Sequence, residues 1–198
     1  MRALLKLSAV IDAINSRIGR WLSWLILVVA LVSAANATVR KVFDTSSNGW
    51  LELQWVLFGI VFLLCSPWTL LDNEHIRIDI VYNMLRSRTR NIIDLFGHIF
   101  FLLPLTLIMI VTSVPFFIRS IAINEQSSNA GGLPQWPAKS LVMLGFMLLF
   151  LQAVSEIIKR VAVLRGLIAD PHAGAAHSSA EMEAATMAAT ADINSGQQ

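Results

Sequence analysis

The sequence predicts an all-α integral membrane protein with four transmembrane helices, additional interfacial amphipathic helices and both termini on the cytoplasmic side. Three observations carry that expectation. The 198 residues are 56% hydrophobic and only 14% charged, whereas a soluble domain typically has about 25% charged residues. Mean hydropathy is +0.64, and the apolar residues collect into four runs long enough to cross a bilayer. Neither strand alternation nor an internal repeat interrupts them. A net charge of +2 is too small to indicate a nucleic-acid partner; its uneven distribution is the informative feature.

The first segment, 1–20, reads as an amphipathic interfacial helix. Leu4, Leu7, Ile11, Ile14 and Ile18 recur at spacings of three and four, while Lys6, Arg17 and Arg20 suit anionic headgroups. A membrane domain follows over 21–165. Its spans fall at about 21–39, 52–71, 92–114 and 138–158, with Pro104 as the expected kink of the third. "AANA" at 34–37 resembles a signal-peptidase site. The long segment before the apolar run and the Arg40–Lys41 border favour a retained span instead.

Orientation follows from lysine and arginine placement. Arg2, Lys6, Arg17, Arg20, Arg77, Arg86, Arg88, Arg90, Lys159, Arg160 and Arg165 fall on one side; Arg40, Lys41, Arg119 and Lys139 fall on the other. The richer side is expected to be cytoplasmic. Between spans two and three, 76–90 reads as a second interfacial helix, with Ile80, Val81, Met84 and Leu85 on one face. Residues 166–198, rich in Ala, Ser and Thr, have no apolar face to bury and read as a disordered cytoplasmic tail; His172 and His177 are expected to be solvated. Trp50, Trp55 and Trp136 are expected to anchor helix ends at the interface.

Candidate chemistry is sparse. Glu52, Asp94 and Glu156 lie toward span ends, where water or headgroups are expected to reach them. His98, the one ionisable side chain deeper in a span, has no partner histidine for haem and reads as a helix-contact residue. Cys65, the single cysteine, reads as a small packing residue. Spans one, two and four look uninterrupted, so the paired broken helices of a self-sufficient transporter are not evident. No nucleophile–base pair, phosphate loop or metal motif is present. The expectation is a non-enzymatic helical scaffold without a metal or bound cofactor. On the outer side, "NEQSSNAGGLPQWP" (124–137) combines a polar run with a rigid Gly-Gly-Leu-Pro turn; it reads either as a well-made turn or as a docking surface.

"NGWLELQW" leading into span two, "EHIRIDIVY" after it, and "NEQSSNAGGLPQWPAKSL" before span four resemble the small permease subunit (DctQ type) of tripartite ATP-independent periplasmic (TRAP) transporters. The resemblance covers roughly 15–165. It implies a multi-pass protein of the bacterial inner membrane that packs against and stabilises a large permease subunit (DctM type). That partner would hold the sodium and substrate sites and drive uptake of an organic acid, commonly a carboxylate. A periplasmic substrate-binding protein would deliver the ligand. Cofactors are expected to be none, with sodium on the large subunit. The positions matching the family signature or subunit interface are Glu52, Trp55, His75, Arg77 and Asp79. In the periplasmic loop, Glu125, Ser127, Gly132, Pro134, Gln135 and Trp136 are the candidates for docking the binding protein. The tail after the last span favours a large subunit encoded as a separate chain. The competing reading is a membrane-anchor subunit of a redox complex, which rests on His98.

Overall fold

The computed structural model describes residues 1–44, 47–72 and 87–168. Its elements are α1 (Arg2–Ser23), α2 (Leu25–Phe43), α3 (Asn48–Leu71), α4 (Ser87–Gly97), a π-helical turn (His98–Leu102), α5 (Leu103–Ala122) and α6 (Trp136–Leu164). Among the described residues there is no strand, only an isolated bridge between Gln126 and Pro134. Four stretches are long and apolar enough to cross a membrane: Arg2–Phe43, Asn48–Leu71, Arg88–Ala122 and Trp136–Leu164. The all-α, four-span membrane architecture holds. The helices outlast the expected spans, because an apolar core of about 30 Å does not stop a helix whose flanks also favour it.

Burial is inverted relative to a water-soluble bundle. The buried apolar side chains among the described residues are few, namely Ile11, Pro67, Leu70, Ala153 and Ala162, whereas buried polar ones include Asn15, Glu52, Asn91, Asp94, Gln152, Glu156 and Arg160. Large apolar groups such as Trp21, Phe62 and Phe101 point outward. Lipid solvates them, so the bundle closes through small residues and hydrogen bonds rather than apolar burial.

Helix α6 is the hub, touching α1, α3, α4 and α5. Its 29 residues give about 43 Å of length. It ends in a Schellman motif: Gly166 takes φ +70° while its N–H bonds the Val163 carbonyl, and the Leu167 N–H bonds the Ala162 carbonyl. Two glycines permit close helix approaches. A Cβ on Gly145 would stand 2.8 Å from Leu63 Cβ, and one on Gly19 would stand 2.5 Å from the Trp68 ring.

Three prolines lie inside the spans, Pro67, Pro104 and Pro115. Pro67 lies inside α3 and is buried, yet α3 runs unbroken over Asn48–Leu71; the ring only removes the donor that the Leu63 carbonyl would otherwise receive. Pro104 cannot bond the Phe100 carbonyl and would collide with it in a regular helix. The chain inserts one residue instead, the Leu103 N–H reaching the His98 carbonyl, so a π-turn precedes the proline. His98 sits at that turn, its Nδ1 2.5 Å from the Asp94 carbonyl oxygen. A carbonyl oxygen can only accept, so this contact puts the proton on Nδ1.

Helix α1 packs on α3 and α6. Its buried residues are Ser8, Ile11, Asn15 and Gly19, while Leu4, Leu7 and Ile14 of the apolar stripe are exposed. The polar side faces the protein and the apolar side faces outward. Helix α2 has no buried residue.

Candidate functional site

At one end of the bundle the loop between α5 and α6 is fastened to α3 by a single carboxylate. Glu52 lies in the first turns of α3 and is buried. Its Oε1 accepts a short hydrogen bond from Ser127 Oγ and another from Asn129 Nδ2 at 2.9 Å; its Oε2 accepts the Leu133 N–H at 2.6 Å. Ser127 Oγ in turn receives the Asn129 N–H at 3.1 Å. Asn48, one turn earlier on α3, donates to the Ala130 carbonyl at 3.0 Å. The loop also closes on itself: the Ser127 N–H bonds the Leu133 carbonyl, and the Gln135 N–H bonds the Glu125 carbonyl.

Glycine is required here twice. Gly131 takes φ +72°, and a Cβ on Gly132 would lie 2.5 Å from Ser127 Cβ and 2.7 Å from Glu52 Oε1. Glu125 pairs with Lys139, whose ammonium also lies 3.9 Å from the centre of the Phe116 ring. The hydrogen bond from Lys139 holds the Glu125 carboxyl below its usual range. Beside this latch a cleft of about 240 Å³ opens between α3, α6 and the loop, lined by Glu52, Trp55, Gly59, Asn129, Pro134 and Leu141 among others.

Of the residues singled out from sequence, Glu52, Ser127 and Gly132 therefore form one cluster. Pro134 lines the adjoining cleft. Glu125 is bound to Lys139 instead, Gln135 precedes α6, and Trp136 opens that helix. Trp55 is 70% exposed on the face of α3 beside the cleft. His75, Arg77 and Asp79 lie outside the described residues, as does most of the helix expected at 76–90.

The opposite end holds a polar network that the sequence reading missed. Lys159 bridges Asp12 (3.0 Å) and Glu156 (2.5 Å), joining α1 to α6. Gln152 accepts Asn15 Nδ2 at 2.7 Å and donates to Asp12 at 2.9 Å and Glu156 at 3.2 Å. Ser155 Oγ donates to Asp12 at 2.7 Å, which makes Ser8 the donor in the 2.6 Å contact between the two serines. On the adjacent face of α6, Arg160 binds Asp94 at 3.1 Å and Asn91 at 2.5 Å, joining α4. Asp94 and Glu156 were expected within reach of water or headgroups. Instead they are 8% and 2% exposed, because each has a cation to face. Three polar residues of α6 at positions 152, 155 and 156, matching Ser8, Asp12 and Asn15 on α1, were the available signal.

Among the described residues no three His, Cys, Asp or Glu side chains converge to hold a metal. Cys65 sits half-buried with Sγ 3.8 Å from the Gly19 carbonyl oxygen.

A family model described as tripartite ATP-independent periplasmic transporters, DctQ component, matches residues 29–163. No curated protein and no solved structure matches the chain significantly.

Proposed function

This chain belongs to the DctQ family, the small membrane subunit of TRAP transporters, and from that premise we propose that it is a non-catalytic scaffold for a large permease subunit. In this reading the partner carries the sodium and substrate sites and takes up an organic acid, a carboxylate, handed over by a periplasmic binding protein. The chain sits in the bacterial inner membrane with the Glu52 end outward and both termini in the cytoplasm, as the lysine and arginine distribution favours.

The observation that carries the scaffold reading is the use to which the spans put their polar groups. Asp94, Glu156, Lys159 and Arg160 bind one another or neighbouring helices. Asn15, Gln152 and Ser155 do the same. A solute path needs polar groups that are free to exchange partners with the solute. These are committed to helix–helix contacts, while the outer faces of α2 and α5 are apolar. Purification of the complex in mild detergent tests this: the large subunit is expected to co-purify with the chain, and separation of the two on size exclusion would overturn the reading. His75, Arg77 and Asp79 are proposed to contribute to that contact; Arg77→Ala with Asp79→Ala should reduce co-purification and uptake together.

The outer loop is proposed to receive the binding protein. Its fixed shape means that little conformational entropy is lost on docking. The geometry directs the test to Gln126 and Ser128, which are exposed, rather than Ser127, which holds Glu52. Cysteines at 126 and 128 are expected to crosslink to the binding protein. Their failure to do so in an intact, active complex would remove the docking role.

A further inference from the structure

Helix α1 has three distinct faces, and among the described residues one of them meets other helices. At 100° per residue, the residues that meet α3 and α6 (Ser8, Ile11, Asp12, Asn15 and Gly19) span about 100° of the helix. Next to them runs an exposed apolar lane of Leu7, Val10, Ile14 and Trp21, within about 60°. Beyond that lane, Arg2, Lys6, Arg17 and Arg20 fall within about 60° of one another. All four are exposed, and Ala9 and Ala13 between them are exposed too. The helix has one acid, Asp12, which is on the inner side and paired with Lys159. The cationic lane therefore has no acidic side chain of its own helix to neutralise it; among the described residues its side-chain bond is Arg20 to Ser16 at 3.0 Å.

The depth at which α1 crosses α6 gives this lane a partner. Ser155, the contact of Ser8, is nineteen residues beyond Trp136, or about 28 Å along the helix. That is close to the full hydrocarbon thickness. With the start of α6 at one membrane boundary, α1 meets α6 at the other, at the level of the headgroups. There the apolar lane faces acyl chains and the adjoining cationic lane faces phosphates.

We propose that α1 binds anionic phospholipid headgroups along Arg2, Lys6, Arg17 and Arg20, and that this contact presses its opposite, polar face onto α6. The lipid thereby supports the Ser8–Ser155 and Asp12–Lys159 contacts from outside. The proposal does not depend on the transporter reading, since it concerns the isolated chain.

The full-length chain in neutral detergent is titrated with phosphatidylglycerol, or with phosphatidylcholine of the same acyl chains, and its melting temperature is followed. Phosphatidylglycerol is expected to raise it at lower concentration than phosphatidylcholine, and 0.5 M-range salt (roughly a 4 Å screening length) should erase the difference. Arg17→Gln with Arg20→Gln should weaken the phosphatidylglycerol response about 25-fold, at about fivefold per charge. Arg17→Lys with Arg20→Lys should retain it. Each comparison is made between two lipids on one variant, so a lower baseline stability does not disturb it. Should the double Gln variant fail to fold, Arg2→Gln with Lys6→Gln takes its place with the same expectation. Equal responses to the two lipids, or an unchanged response after removal of the charges, would overturn the proposal.

Discussion

The two ends of this bundle are tied by different chemistry. At the Glu52 end one carboxylate gathers neutral donors, namely a hydroxyl, an amide and a backbone N–H, and so fixes a loop that remains largely exposed. At the Arg160 end charge meets charge, and whole helices are joined: α1 to α6 through Asp12–Lys159, α4 to α6 through Asp94–Arg160. A hydrogen-bonded loop can open locally without exposing an ion to lipid. A buried ion pair cannot be opened from one side without leaving a charge unmatched. Under the proposed docking role the first end suits a surface that meets partners, and the second a joint that must not move.

The largest expected effect comes from breaking that joint on one side. Arg160→Ala removes the cation that binds buried Asp94 and Asn91 and is expected to cost about 3–5 kcal/mol, read as a fall in melting temperature in detergent. Replacing both partners, Arg160→Met with Asp94→Leu, should recover much of the loss. No recovery would mean that the pair acts through something other than mutual charge compensation. Next in size is Gly19→Ala. The added methyl would stand 2.7 Å from Trp68 Cβ, a clash that rotation of the indole does not relieve, and should cost about 1–3 kcal/mol. Asn15→Leu removes one interhelical hydrogen bond to Gln152 and is expected to cost about 1 kcal/mol.

The Glu52 end should respond locally rather than globally. Glu52→Gln keeps the size of the side chain but supplies one acceptor oxygen where three donors now converge. Hydrogen exchange across 126–133 should rise while the melting temperature moves little; a large global loss would erase the contrast between the ends. The smallest effect is one of pH. The Glu125 carboxyl, held below its ordinary value of 4.5 by Lys139, contributes stability above that value and loses it as pH falls through the depressed one. Exchange in the loop should therefore stay constant down to about pH 4.5 and increase only below it. Lys139→Met should move the onset upward.

The spans, the fixed turn before the last span and the family were legible because each rests on a local signal: apolar run length, Gly-Gly-Leu-Pro, and motifs at span borders. The polar joint was not. Ser8, Asp12 and Asn15 on one face of α1 look the same whether that face meets water or a matching polar face, since periodicity reports sidedness and not the identity of the neighbour. Only pairing with α6 decides it. Pro104 announced a kink, but whether a π-turn, a hinge or a break absorbs it depends on packing around His98. Glu52 was marked as a signature residue; that it closes on Ser127 and Leu133, 75 and 81 residues away, required the fold.

The central claim is that the polar groups of these spans serve the protein's own cohesion and not a solute. Uptake of an organic acid into sodium-free proteoliposomes placed in sodium buffer, so that the sodium gradient points inward, measures it most directly, comparing this chain alone with this chain reconstituted beside the proposed large subunit and supplied with the proposed binding protein. No flux above empty vesicles from the chain alone, and clear flux from the assembled system, is the predicted result. Flux through the isolated chain would contradict the claim.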